Sequence, residues 1–288
     1  MTEPITTVST PVADPSRVAA IKRRRRRELT IATASTIVFF GVVTAAVVSS
    51  PGWDTVKEFF FNPVDAKRVL PSLVEAFRLT IWLFMTAEPV ILVVALLLAV
   101  LRGLRGPVFA PLRIVAIAYT DIVRGIPTIL LILLFGFGIP ALNLQGLPDS
   151  ALFWAWMALV VSYSAYVAEV FRAGIESVHP SQRAAARSLG LSHAQSLRFV
   201  VLPQAVRRVI PPLLNDFISL QKDTALVSII GAVEIMRAAG IDAGFNFNYT
   251  PYVMAALFFI VLTVPLARFT DWIAARQRGR QQGLGAEL

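Results

Sequence analysis

The 288-residue sequence contains no cysteine. Disulfides, thiol nucleophiles, CxxC redox pairs and cysteine metal sites are therefore excluded, and nothing follows about the redox compartment. Histidine is scarce too: His179 and His193 cannot build a histidine-rich metal centre, and no metal site is expected. None of the four lysines, Lys22, Lys57, Lys67 and Lys222, follows a glycine. A GxxxxGK[ST] phosphate loop is thus absent, and the chain cannot bind ATP in that way. Any ATP-driven work would need its ATPase on a different chain. Charge is thin as well, 16% of residues against about a quarter in soluble domains.

The bulk of the sequence is apolar: 56% hydrophobic residues and a mean hydropathy of +0.67. Too little polar surface remains to cover a water-soluble globule, so the chain reads as an integral membrane protein. Long uncharged runs cover Leu29 to Ser50, Gly125 to Pro148, Ser150 to Ala168 and Ala243 to Ala267. Leu79 to Leu101 is broken by Glu88 alone, and the apolar region from about Ile210 to Met236 carries Asp216, Lys222 and Asp223 inside it. A hydrocarbon core of about 30 Å takes roughly 20 helical residues, and lipid leaves no unpaired backbone. The expected fold is all-α and polytopic, with about six transmembrane helices.

The net charge of +9 is explained by topology. With the N-terminus in the cytoplasm, the inner side receives Arg17, Lys22 and Arg23 to Arg27. It also receives Arg102, Arg105, Arg113 and Arg124, then Arg172, Arg183, Arg187, Arg198, Arg207 and Arg208, and in the tail Arg276, Arg278 and Arg280. Twenty basic residues fall inside, against Lys57, Lys67, Arg68 and Arg237 outside, the asymmetry that orients membrane proteins. Both termini are expected in the cytoplasm, and no nucleic-acid partner is expected.

Residues 1–28 read as a basic cytoplasmic tail, aperiodic and disordered over its first sixteen or so. The five arginines before an apolar run resemble a signal peptide, but 29–50 is too long for a signal core and reads as an uncleaved first helix. Residues 51–71, with Trp53 and Phe59 to Phe61 among charges, suit an outer interfacial segment. The main membrane domain is expected over 72–275 and a short cytoplasmic tail over 276–288. Within the membrane domain, an amphipathic helix through Tyr119 leads into Arg124-Gly125-Ile126-Pro127, a basic anchor followed by helix breakers.

The inner loop from about 173 to 211 is the most informative segment. Pro180 suits the first turn of a short helix through Ala184, Ala185 and Ala186. Gly190 permits a reversal with φ above zero. Ser192 can cap a second short helix, which Leu202-Pro203 should end, with Pro211-Pro212 opening the next membrane helix. Small residues on a compact helix–turn–helix let a partner approach closely; an ordinary surface loop is the alternative on physics alone.

Here the residues carry a resemblance. Ala184-Ala185-Ala186, three residues, Gly190, nine residues, Val200, one residue and Leu202-Pro203 resembles the signature loop of ABC-importer permeases, in which Glu-Ala-Ala opens the pattern. YTDIVRGIP (119–127), SYSAYVAEVFRAG (162–174) and LPQAVRRVIPPLLNDFISLQKDTALVSII (202–230) are similar to the polar amino acid branch. The likeness covers about Leu73 to Ala274. Ala184 departs from the pattern where the family has glutamate, which touches a polar contact and leaves the loop's spacing intact. The resemblance implies a bacterial inner-membrane permease subunit, not itself an enzyme. It would work with a second permease, identical or homologous, with ATPase subunits that hold ATP and Mg, and with an external solute-binding protein that delivers an amino acid. Ala184, Ala185, Ala186, Gly190, Leu202 and Pro203 would form the ATPase-coupling loop.

Candidates for the substrate pathway are the residues that lipid makes costly or that cluster by spacing. Glu88 lies mid-span and either faces a cavity or stays protonated. Glu169 and Arg172, three apart, form an ion pair or line the path. Tyr163 and Tyr166 share a helix face. Lys222, Asp223 and Thr224 form either a self-neutralising cluster or part of the lining. Two rivals remain: a secondary transporter, which predicts two related halves, and a scaffold or channel subunit, which needs no coupling loop.

Overall fold

The computed structural model describes residues 15–104 and 106–285; of the sixteen or so residues expected to be disordered, the first fourteen lie outside them, and Pro15 and Ser16 already belong to the first helix. No strand occurs among the described residues. The helices, in chain order, are α1 (Pro15–Val48), α2 (Trp53–Phe60), α3 (Pro63–Gly103), α4 (Ala110–Arg124), α5 (Thr128–Leu133), α6 (Ile139–Ala141), α7 (Ala151–Glu176), α8 (Pro180–Ser188), α9 (His193–Ser196), α10 (Leu202–Asp223), α11 (Ile235–Asn246) and α12 (Thr250–Gly285). The chain divides into two compact units, one ending at Glu58 and the other starting at Phe59.

The first unit is dominated by α1. The helix begins at Pro15, well before residue 29, so the basic run Arg23 to Arg27 is helical. Arginine is a good helix former, and here it continues the helix upstream of the apolar span. From Arg23 onward every residue of α1 is exposed.

The second unit contains the long α3. Asn62 caps it by accepting from the Val64 N–H at 2.9 Å, and Pro63 fits the first turn. The expected interfacial segment therefore stops short of residue 71, and Pro71 sits inside the helix. Forty-one residues extend about 60 Å, twice a hydrocarbon thickness. The charged turns carrying Asp65, Lys67, Arg68, Glu75 and Arg78 precede the apolar run that starts at Leu79.

α7 is the central helix, packed by α3, α4, α5 and α10. Ala155, Ala158, Ser162, Ala165 and Ala168 are fully buried along it. Polar side chains tie neighbours to it: Tyr119 OH donates to the Val161 carbonyl at 2.9 Å, Trp156 Nε1 donates to Thr86 Oγ1 at 3.0 Å, and Thr128 and Ser162 share a hydrogen bond of 2.9 Å. Outward faces stay apolar, with Trp82, Leu97 and Val261 exposed, as lipid contact requires.

Among the described residues, four helices are long and apolar enough to cross a membrane, and up to six spans arise if each bent pair counts as one. The first pair is α4 with the α5–α6 stretch, bent by 103° at Gly125 to Pro127, where breakers were expected. The second corrects the sequence reading. The expected continuous span Ile210 to Met236 is broken: α10 tightens into a 3₁₀ turn over Thr224–Ile230, Gly231 takes φ +89°, and α11 leaves at 50°. The last span starts at Thr250 rather than Ala243, because Phe247 adopts φ +50° and the Asn248 side chain accepts from the Thr250 N–H at 2.8 Å.

Gly136 lies in a π-helical turn over Leu134–Gly138, where a Cβ would meet Ile230 Cγ2 at 2.7 Å, while Gly138 has open space. Gly136→Val should lower the melting temperature in detergent, the overpacking costing about 1–3 kcal/mol, whereas Gly138→Ala should leave it unchanged.

Candidate functional site

The segment between α7 and α10 is a compact helix–turn–helix. Pro180 opens α8, and His179 Nδ1 accepts from the Ser181 N–H at 3.2 Å. The helix closes with Leu191 N–H to Ala186 O at 3.1 Å and Gly190 N–H to Arg187 O at 2.9 Å. That pair of bonds around a left-handed residue is a Schellman motif, and Gly190 supplies it with φ +80°. Ser192 and Gln195 then form a reciprocal capping box, Gln195 N–H to Ser192 Oγ at 3.3 Å and Ser192 N–H to Gln195 Oε1 at 2.9 Å.

The three alanines divide by face. Ala184 and Ala185 are exposed and Ala186 is buried. Leu189 at the turn is 83% exposed, an apolar tip at the outermost point of the reversal. The base of the segment is held by Val178, Val201 and Ala205 packed with Ile175. Arg183 Nη2 donates to the Ile175 carbonyl at 2.9 Å, and Arg208 bonds the Ser177 carbonyl.

Leu202-Pro203 does not end the second helix, as expected from sequence. A π-helical turn over Leu197–Val201 runs directly into α10, with the Leu202 N–H reaching back to Leu197 O. The widened turn accommodates a proline ring that would strike the carbonyl of Phe199 in a regular helix. Both Leu202 and Pro203 are exposed, and Pro211 and Pro212 lie inside α10 rather than opening it.

Glu169 is the hub of a charge cluster near the C-terminal end of α7. It pairs with Arg172, as expected, and also with Arg102 of α3 at 3.3 Å and Arg124 of α4 at 3.7 Å. Arg102 donates on to Thr120 Oγ1 at 2.5 Å, and Arg172 also holds Glu176. The sequence signal for Arg102 and Arg124 was absorbed by the inside-positive count, although both sit beside helix ends that α7 passes.

The remaining candidates separate into two groups. Tyr163 OH donates to Asp223 Oδ2 at 2.8 Å, and its ring lies 6.2 Å from that of Tyr166. Tyr166 in turn reaches the Arg124 carbonyl at 3.4 Å and lies under its guanidinium, which links the tyrosines to the Glu169 cluster. Asp216, missed as a site residue, stands within electrostatic range of both Glu88 and Tyr163, beside an edge-to-face pair of Phe84 and Phe217. Lys222 does not neutralise Asp223: it is exposed and makes no ion pair among the described residues. Thr224 is buried and bonds its own helix through the Gln221 carbonyl at 2.7 Å.

Two buried groups escaped the sequence reading. Gln221 is fully buried, accepting from Thr263 Oγ1 of α12 at 2.7 Å. Glu234 is fully buried in the break between the 3₁₀ turn and α11, where its carboxylate takes the Met236 and Arg237 N–H groups at 2.9 and 2.8 Å. Its place after Gly231 was the available signal.

A buried central helix between two broken spans, with an exposed helix–turn–helix at its end, is the architecture of a polytopic membrane domain. Residues 107–279 match the family described as binding-protein-dependent transport system inner membrane component, and the chain belongs to that family: it is a transmembrane permease subunit of an ABC importer. It is 35% identical over 176 residues to the probable glutamine ABC transporter permease protein GlnM of Bacillus subtilis (strain 168), covering 60% of this chain and 79% of the relative. It is 32% identical over 201 residues to the glutamine transport system permease protein GlnP of Escherichia coli (strain K12), covering 69% and 89%. The crystal structure of an amino acid ABC transporter with histidines superposes with a TM-score of 0.68 at 31% identity, covering 75% of this chain and 98% of that one.

Removing the hub should cost more than removing its exposed neighbour. Glu169→Ala leaves Arg102, a largely buried guanidinium, without its carboxylate and should destabilise by about 2 kcal/mol. Glu176→Gln, at a 62% exposed side chain, should cost under about 1 kcal/mol. Thermal unfolding of both purified variants checks the order.

Proposed function

We propose that this permease imports a polar amino acid delivered by an external solute-binding protein, working with a second permease and two ATPase subunits in the cytoplasm. The observation that carries the coupling role is the Pro180–Ser196 segment. It presents Ala184, Ala185 and the bare side chain of Leu189 outward, on a base fixed to α7 and α10. Such a surface suits the groove of another protein, because small residues permit close approach and an apolar tip needs cover. ATP and Mg would be held by the ATPase, and this chain would supply neither. The charge asymmetry favours a cytoplasmic location for this segment and for both termini. The exposed Ala184 replaces the acid of the family pattern, so the ATPase groove at that point needs no basic receptor.

The amino acid assignment draws on the relatives named for glutamine and on the acids of the second unit. A zwitterion entering the bilayer interior must find a partner for each charge, since an unpaired one costs several kcal/mol. Glu88, Asp216 and Asp223 offer three carboxylates on α3 and α10, with the Tyr163 hydroxyl bonded to Asp223. An ammonium group would be answered there. Lys222, exposed on the isolated chain, would answer a carboxylate where a second permease closes over α10. The three arginines around Glu169 favour a role as a brace between helices over one as lining.

The coupling role is tested by Gly190→Val. A β-branched residue at φ +80° is strained by about 1–2 kcal/mol, so the turn should open, and ATPase association and transport-linked hydrolysis should fall with insertion intact. Gly190→Asn, which tolerates the left-handed region, should keep both. Normal assembly and stimulation in the valine variant would refute the role.

The pathway is tested by uptake through the reconstituted complex carrying Glu88→Gln or Tyr163→Phe, after ATPase binding has been verified. Losing a charge-assisted contact should raise the apparent KM about tenfold. Unchanged affinity and rate in both would mean that these groups are structural.

A further inference from the structure

The family match begins at residue 107, and α1 lies wholly before it. Directly ahead of the apolar run, Lys22 and Arg23 to Arg27 give six consecutive basic residues, with one acid, Glu28, after them. The side chains of Arg23 to Arg27 are all exposed, and among the described residues they form one ion pair, Arg24 with Glu28 at 3.0 Å. Five successive helical residues at 100° each sweep about 400°, so the arginines ring the helix axis completely. They form a collar rather than a stripe.

The stretch of α1 beyond the collar is equally uniform. Residues 29–48 carry no charge, and the window within Arg23–Val48 has a mean hydropathy of 2.2 with none of it buried. Those twenty residues rise about 30 Å, one hydrocarbon thickness. A helix apolar on every side and set to that length places the collar at the headgroup plane of one leaflet. Orientation does not require the collar, because fourteen further basic residues are assigned to the same side, well over the number on the other.

We infer that the Arg23–Arg27 collar binds the anionic phospholipid headgroups of the surrounding bilayer. Guanidinium groups present paired donors that match a phosphodiester, and basic clusters bordering a membrane helix attract anionic lipid within a Debye length. A ring of them draws such lipid around the whole circumference of α1, so the permease carries an anionic annulus at its N-terminal helix.

The test uses the full-length chain in nanodiscs of zwitterionic lipid doped with spin-labelled phosphatidylglycerol or phosphatidylcholine. The fraction of motionally restricted label gives the preference of one lipid over the other. Wild type should prefer phosphatidylglycerol, and raising the salt from about 50 mM to about 1 M should abolish much of that preference. The triple variant Arg25→Gln, Arg26→Gln, Arg27→Gln should lower it roughly fivefold or more, and the matching triple lysine variant should retain it. The salt series on wild type stands independently if the glutamine variant inserts poorly. A salt-insensitive preference, or an equal preference in the glutamine variant, would overturn the inference. Loss of a partner chain from the glutamine variant with its lipid preference unchanged would also overturn it, assigning the collar to a protein surface.

Discussion

Close approach of helices to α7 is the constraint on which the second unit depends. Lipid tails are as apolar as leucine, so helices in a bilayer gain little from hydrophobic burial and associate through contact and interhelical hydrogen bonds. Ala155, Ala158, Ser162 and Ala165 recur at intervals of three and four, the spacing of one helix face, and each is fully buried. With side chains this short, α3 and α10 come near enough for Tyr163 to reach Asp223 and for Trp156 to reach Thr86. A larger residue at any of the four would push a neighbour away and break those polar contacts before any apolar contact were lost.

The same helix connects the acid-rich region to the exposed helix–turn–helix. From Tyr163 to Glu176 it rises about 20 Å, and the contacts along it are continuous: Tyr163 with Tyr166, Tyr166 with Arg124, and Arg124 with Glu169. Arg172 and Glu176 come next, and Arg183 fastens α8 to the Ile175 carbonyl. A displacement of α8 therefore bears on α7 itself and not on a slack loop. Contact alone does not make coupling; it needs an element with two arrangements that both ends bias. The bends beside α7, at Gly125 to Pro127 and at Gly231, are places where the chain leaves a regular helical path.

Much of this was legible in the sequence where a residue's backbone chemistry decides the outcome locally. Gly190, Pro180, Ser192 and the Arg124 to Pro127 breakers each act within a few residues, and each appears as read. The failures share a cause, since they turn on what the surrounding helices permit. Leu202-Pro203 reads as a stop, but a π-helical turn one residue upstream makes room for the ring. Pro211 and Pro212 read as a start, but the helix runs through them from Leu202 to Asp223. Arg102 and Arg124 read as topology, and only the fold reveals that α3 and α4 bring them to one carboxylate. Lys222 and Asp223, adjacent in sequence, point apart because neighbouring helical positions differ by about 100°.

Glu234 shows how a broken span is made tolerable. A break inside the apolar region frees backbone N–H groups that lipid cannot satisfy, and irregular backbone survives at such depth only when protein covers it. Gly231 supplies the left-handed turn, and two residues of linker bring Glu234 to the start of α11, where its carboxylate takes two of the first free donors. The same position favours negative charge at a helix N-terminus. An acid that composition alone marks as costly in a membrane is thus matched by the cost it removes, and Thr80 of α3 contributes a further acceptor to the Ile235 N–H at 3.4 Å. The bend between α10 and α11 is therefore held at its own apex by a side chain from within the break. This capping lets the backbone leave the helical path at Gly231 while Gln221 and Asp223, two to three turns earlier, stay fixed against α12 and α7.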